Sequence, residues 1–320
     1  MSLIATVKDA RAHIEEFLES VRAQTRPPDE VVIVDGGSSD GTWEALSTAD
    51  WLVALSEPGA NIARGRNVAI RAAAHEVIAV TDADCVLEPD WLERILAPLE
   101  RGADVAAGSY RPLAGSFWQV CAAAVSIPEP EEVGPGWMPS ARSVAFRRSA
   151  FDAAGGYPEW LDVGEDMYFN HRLQEIGTRV ELASDAVTYW RVRPTLAATW
   201  RQFGRYAEGD AVGGMYPERH ALRFATYAFA GLALARRRRW MLMLSALGGA
   251  AYAARPIRRA RRRLPADGPD RWKAVLAVPA LMAFIDIAKM RGYLRGLALM
   301  SPAREAVRRS PPGSLPSPQA

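Results

Sequence analysis

The chain has 320 residues, 49% of them apolar, with 39 basic and 37 acidic side chains and a formal net charge of +2. That length and apolar content suffice for one large core or two modest ones. The two cysteines, Cys85 and Cys121, exclude a disulfide framework and fit a reducing compartment, and the start Met1-Ser2-Leu3-Ile4-Ala5-Thr6-Val7 lacks the basic residue and apolar length of a signal peptide.

In chain order, Leu3–Val7 reads as a short buried strand. Ile14, Phe17, Leu18 and Val21 fall at helical spacing over 13–23, and Pro27-Pro28 ends that helix. The β-branched run 30–34 predicts a second strand, which empties into Asp35-Gly36-Gly37-Ser38-Ser39-Asp40-Gly41-Thr42. A helix over 42–46 and a strand over 51–56 follow, then a helix over 62–74. Residues 76–80 form another buried strand, running out at Thr81-Asp82-Ala83-Asp84. A helix over 89–100 and a strand over 104–110 complete a β-α-β-α-β alternation. That alternation predicts an α/β fold with a mainly parallel sheet covered on both faces. Ligands of such sheets bind at the carboxyl ends of strands, so the polar turns after Val34 and Val80 are expected to face one crevice.

Residues 127–142, rich in Pro, Glu and Gly, read as a mobile loop. Beyond it come a strand over 143–146, a helix over 151–157 and a helix over 167–176 opened by Gly164-Glu165-Asp166. Two strands at 179–182 and 186–190 and a helix over 195–211 follow. The character then changes. Apolar stretches of 14 and 15 residues, 222–235 and 240–254, flank Arg236-Arg237-Arg238-Arg239. A basic linker is expected at 255–263, a mostly apolar helix at 274–299, and a Pro- and Ser-rich disordered tail at 301–320. Residues 219–320 hold 20 basic and 4 acidic side chains, against 19 and 33 in residues 1–218. A basic, apolar tail on an acidic globule points to an anionic surface, and the apolar runs between the arginines favour a phospholipid leaflet over nucleic acid. A span needs about 20 apolar residues; short interfacial helices with snorkelling arginines are the other reading.

Asp82 and Asp84, one residue apart at a strand end, suit a hard divalent cation such as Mg²⁺ or Mn²⁺, which takes one or two carboxylates plus substrate phosphates. The same triplet also occurs as ordinary loop acids. Asp35 is either a base-reading carboxylate or a turn former before Gly36-Gly37. Arg64, Arg66 and Asn67 either contact phosphate or base, or form a solvated basic face. Asp166 at a helix start is a cap or a general base. Gln202 and Arg205, at i and i+3, hold diphosphate oxygens or belong to a salt-bridged surface helix.

Read together and in order, these segments resemble the family 2 glycosyltransferases of GT-A fold. Ser20-Val21-Arg22-Ala23-Gln24-Thr25-Arg26-Pro27 is similar to the family's SLxxQTxxP. Val31-Val32-Ile33-Val34-Asp35-Gly36-Gly37-Ser38-Ser39-Asp40-Gly41-Thr42 resembles IVVDDGSxDGT, Arg66-Asn67 its ARN, and Thr81-Asp82-Ala83-Asp84 its LDAD. Gly155-Gly156-Tyr157 before Gly164-Glu165-Asp166 matches its acceptor half, and Gln202-Phe203-Gly204-Arg205-Tyr206 loosely echoes QxxRW. The resemblance covers residues 2–212. It implies an inverting, single-displacement sugar transfer from a UDP- or GDP-linked donor to a lipid-linked or glycan hydroxyl. In that scheme Asp35 reads the base, and Asp82 and Asp84 hold the diphosphate through the metal. Asp166 is the base, and Glu165 stands on the acceptor side. Thr6 and Arg66 join the donor contacts, and Gln202 and Arg205 sit near its phosphates. It divides residues 1–215 into a nucleotide-sugar half (1–110) and an acceptor half (111–215). The composition beyond them predicts a helical membrane-associated region (216–300) and a disordered tail (301–320), and with it a place at the cytoplasmic face of the cell membrane and no nucleic acid partner. Departures are Lys8-Asp9 where the family carries Asn-Glu, Gly36 for a second Asp, Tyr168 after Glu-Asp, Tyr206 for Trp, and no His after Trp190. Two alternatives remain open. One is a nucleotidyltransferase, for which residues 2–12 lack the glycine- and lysine-rich phosphate loop. The other is a non-catalytic basic membrane- or nucleic-acid-binding module, against which the retention of all four acids counts.

Overall fold

A computed structural model describes residues 1–134 and 136–300; the tail expected at 301–320 lies outside them. The chain forms two compact units, residues 1–111 with 129–191, and residues 112–128 with 192–300 of the described chain. Each is described by itself.

The first unit is built on an eight-stranded sheet: β1 (Ser2–Val7), β2 (Glu30–Asp35), β3 (Val53–Ser56), β4 (Val77–Val80), β5 (Cys85–Leu87), β6 (Val105–Leu113), β7 (Val144–Arg147) and β8 (Val180–Arg191), in the order β3-β2-β1-β4-β7-β6-β8-β5. The pairs β2–β3, β1–β2 and β1–β4 are parallel. The pairs β4–β7, β6–β7 and β5–β8 are antiparallel. The sheet is therefore mixed, and its parallel part ends at β4. β6, which the alternation places beside β4, is separated from it by β7, a strand that arrives much later in the chain.

Side-chain alternation along β1 shows how the sheet is covered. Leu3, Ala5 and Val7 enter one buried cluster with Ile14, Phe17 and Val21 of α1 (Ile14–Arg22) and with Leu92, Ile95 and Leu99 of α4 (Trp91–Glu100). Ile4 enters the other, with Ala69 and Ile70 of α3 (Ile62–Ala72), Phe151 of α6 (Arg148–Ala154) and Phe169 of α7 (Glu165–Glu175). α2 (Thr42–Ser47) lies between β2 and β3 in the chain. Asn61 caps α3 by accepting from the Arg64 N–H at 2.9 Å.

One expectation for this unit changes. The strands at 179–182 and 186–190 are one strand, β8. Its centre needs no turn, because the Ser184 carbonyl accepts from Ser109 and the Asp185 carbonyl from Arg94. Among the described residues of 127–142, a 3₁₀ turn covers Pro130–Glu132.

The second unit is helical: α5 (Phe117–Ser126), α8 (Leu196–Gly213), α9 (Pro217–Arg236), α10 (Arg239–Arg263) and α11 (Asp270–Ala298). The basic stretch expected as a linker at 255–263 is the second half of α10. Ala253, Pro256 and Ala260 are buried at helical spacing there, and Arg259 donates to the Ala124 carbonyl of α5. α8 and α11 approach so closely that a Cβ on Gly292 would lie 2.0 Å from the Gly204 carbonyl oxygen. Among the described residues no helix is long and apolar enough to cross a membrane.

Candidate active site

Asp35 and Thr6 occupy the ends of two parallel neighbours, with Thr6 opposite Val34 and Val7 opposite Asp35. Asp35 is 1% exposed. Its Oδ1 accepts from the Gly37 and Ser38 N–H groups, each at 2.8 Å, which fixes the carboxylate's orientation. Its Oδ2 is buried and has no partner, and the same holds for the Thr6 and Thr81 hydroxyls. Buried polar atoms in globular proteins are almost always paired. Three unpaired ones therefore stand out at these strand ends.

The β4 end carries the acidic pair. Asp82 Oδ1 accepts from Arg66 Nη2 at 2.6 Å, and its Oδ2 lies 3.7 Å from Arg142 Nε. Asp84 Oδ2 accepts from the Trp190 indole N–H at 3.2 Å. Arg142 also lies over Trp190, 4.1 Å from the ring centre, with Tyr110 at 5.8 Å. Tyr110 in turn contacts Trp137, ring centres 6.0 Å apart.

Arg66 connects this pair to the start of α7. The residue is 1% exposed, and Nη1 donates to Glu165 Oε1 at 2.5 Å while Nη2 holds Asp82. Burial alone would weaken its protonation, but Asp82 and Glu165 outweigh it and raise the pKa. The solvated basic face considered for 64–67 thus fails at Arg66. It fails at Asn67 too, which is buried and exchanges hydrogen bonds with the Tyr157 backbone, both at 2.9 Å. Arg64 is exposed and pairs with Glu57.

At α7, Gly164 takes a left-handed conformation, φ 85°, at the N-cap. This turn aims the next two side chains differently. Glu165 goes inward to Arg66; burial first, then the neighbouring Asp166, pushes its carboxyl up to about 7. Asp166 stays half-buried and accepts from the Met167 N–H at 2.8 Å and the Ala141 N–H at 3.3 Å. The N-cap of α7 is Gly164, without a side-chain cap bond, so Asp166 is a first-turn residue rather than the cap. Burial raises the pKa of both thiols, Cys85 and Cys121, so neither is a ready nucleophile at neutral pH.

Of the residues singled out from sequence, Thr6, Asp35, Arg66, Asp82, Asp84, Glu165 and Asp166 all belong to the first unit. Gln202 and Arg205 belong to α8 of the second, where Gln202 donates to the Tyr206 hydroxyl at 2.9 Å and Arg205 is exposed. Arg142 and Trp190 were not recognised. The only sequence signal for Arg142 is a cation closing a loop, and for Trp190 an aromatic at a strand end.

Among the described residues no three metal-binding side chains converge. The all-oxygen pair Asp82 and Asp84 nonetheless fits a hard cation that completes its shell with diphosphate and water.

The sequence model described as "Glycosyl transferase family 2" matches residues 2–118, and that described as "Glycosyl transferase family group 2" matches residues 77–287. Glycosyltransferase AglE of Haloferax volcanii is 25% identical over 63% of this chain and 70% of its own. The succinoglycan biosynthesis protein ExoA of Rhizobium meliloti is 28% identical over 62% of this chain and 66% of its own. In fold, the chain is similar to the mannosyltransferase PcManGT of Pyrobaculum calidifontis, solved with GDP-Man and Mn²⁺. That likeness has a TM-score of 0.53 and 24% identity, covering 93% of this chain and 85% of that one. With the second of these models spanning well over half its length, this chain belongs to glycosyl transferase family group 2 and is a family 2 type glycosyltransferase of GT-A fold.

Proposed function

We propose that the protein is an inverting transferase that moves a sugar from a nucleoside-diphosphate donor, UDP- or GDP-linked, to a hydroxyl of a lipid-linked or polymeric glycan. The reading is carried by Arg66. One buried guanidinium holds Asp82 with one nitrogen and Glu165 with the other, so the diphosphate end and the residue next to Asp166 lie within the reach of a single side chain.

Asp35 offers its unpaired Oδ2 to a base N–H. Asp82 and Asp84 would hold a Mg²⁺ or Mn²⁺ ion, which neutralises charge on the departing diphosphate. Asp166 accepts the proton of the acceptor hydroxyl as its oxygen bonds to the anomeric carbon. The bond from that carbon to the diphosphate oxygen breaks on the opposite face, and the nucleoside diphosphate leaves with the bonding pair. Two backbone N–H donors keep Asp166 oriented. The half-buried rings of Tyr110 and Trp137, in contact with each other, suit the apolar face of an acceptor sugar. The relative named for succinoglycan biosynthesis supports a glycan acceptor.

Asp166→Asn is expected to lower transfer by at least about 100-fold while leaving nucleoside-diphosphate affinity unchanged. Donor turnover and isothermal titration would be measured on the same preparation. Transfer at the wild-type rate removes the base assignment. The absence of a metal-dependent thermal shift with any nucleoside diphosphate removes the donor reading and favours a binding module.

A further inference from the structure

We propose that the exposed face of α9 and α10 around residues 232–247 docks on the headgroup layer of an anionic phospholipid bilayer, lying along it rather than crossing it. Trp240, Met243, Leu244 and Leu247 are 59, 63, 54 and 64% exposed. They recur at i, i+3, i+4 and i+7, which places four large apolar side chains on one stripe of α10. Leu232 and Leu234, also exposed, extend the patch from the end of α9, and the Phe229 and Trp240 rings, 6.4 Å apart, join the two helices there. A Cβ built on Gly231, Gly248 or Gly249 would meet nothing within 4 Å, so this region has no protein packed over it.

The start of α9 is different. Arg223 and Tyr227 donate to Asp286 of α11 at 2.8 and 3.2 Å, and His220 stacks on Tyr293 with ring centres 4.0 Å apart. One end of α9 is anchored in the helical unit while the other presents leucines to solvent.

Charge identifies the occupant. From Arg219 to Ala266 the sequence contains twelve arginines and no acidic residue. Arg236, Arg237, Arg238 and Arg239 stand exposed between the two helices, next to the apolar stripe. A nucleic acid would match the arginines and leave the stripe in water. A second copy of the chain would cover the stripe but bring its own arginines against these. An anionic leaflet meets both, with guanidinium groups at the phosphates, Trp240 at the boundary and the leucines in the acyl region.

Length decides the mode. The apolar stretches of 14 and 15 residues are about 21 and 22 Å long as helices, short of the roughly 30 Å hydrocarbon core. No described helix meets the requirement for a span.

The test is flotation of the full-length protein with vesicles of phosphatidylcholine alone and of phosphatidylcholine mixed with phosphatidylglycerol. Flotation with the mixed vesicles, weakened by high salt, and none with the neutral ones is expected. Replacing Arg236, Arg237, Arg238 and Arg239 together by Gln is expected to lower the bound fraction at least about tenfold. Leu244→Ser with Leu247→Ser should also lower it, with melting curves checked against wild type. If the arginine variant does not fold, the serine variant carries the test alone. Equal flotation with both lipids overturns the proposal, as does flotation untouched in the folded variants. So does a dimer that fails to float, or displacement from vesicles by duplex DNA at equal charge.

Discussion

Glu165 and Asp166 are adjacent in the chain and meet different surroundings, Glu165 buried against Arg66 and Asp166 half-exposed on two backbone N–H groups. Burial pushes the Glu165 carboxyl up from its ordinary 4.5 to about 7 in the folded protein, against the pull of Arg66, which favours the ionised form. A carboxyl raised in this way contributes stability that is full below the lower value and is lost as pH rises through the upper one. Glu165→Gln cannot titrate, so its melting temperature should vary less with pH across that window than that of wild type. Thermal melts of the two proteins at stepped pH would show it, and parallel curves would contradict the shift. At this scale much of the site was legible. Asp35, Asp82, Asp84 and Asp166 are acids at strand and helix ends, where an α/β sheet places ligands. Arg142 was not legible, because its partners Asp82 and Trp190 are 60 and 48 residues away in sequence and nothing local aims it at them.

Elements with a strong apolar period, α1, α3, α4 and the strands β1, β2 and β4, stand where the sequence put them. The misses are of another kind. β5 is three residues long and exists only through its pairing with β8. α5 is a run of alanines and aromatics whose helical face is set by its packing on α10 and α11. The second half of α10 looked like a linker because its arginines mask a stripe of small buried residues. The contact between α8 and α11 gives the sharpest test at this scale. Gly292 faces the backbone of Gly204, and Gly296 faces the Glu208 carbonyl, where a Cβ would fall 2.4 Å from the oxygen. The obstructing atoms are backbone, so the helices themselves would have to separate. Gly292→Val is expected to destabilise the protein by about 3 kcal/mol or more, measured by urea unfolding. A loss below about 0.5 kcal/mol, the range of ordinary surface changes, would show that the helices are not packed this way.

For the whole molecule, the contrast between an acidic residue set 1–218 and a basic set 219–320 was plain in composition, and the sheet order was not. The alternation of strands and helices gives the parallel half. It carries no information that β7 enters between β4 and β6, because strand insertion depends on pairing between segments far apart in the chain. A fragment of residues 1–118, the extent matched by the first family model, would retain β4 without its neighbour β7. Such an open edge favours intermolecular pairing, so this fragment is expected to elute as aggregate in size exclusion. A monodisperse monomer would count against that. The same insertion bears on synthesis. While the ribosome adds the more than sixty residues between Val80 and Val144, β4 is finished and its partner does not yet exist. The sheet closes at this edge only once β7 has left the exit tunnel, so for that interval the β4 edge is open to a wrong strand, and slower elongation lengthens the exposure.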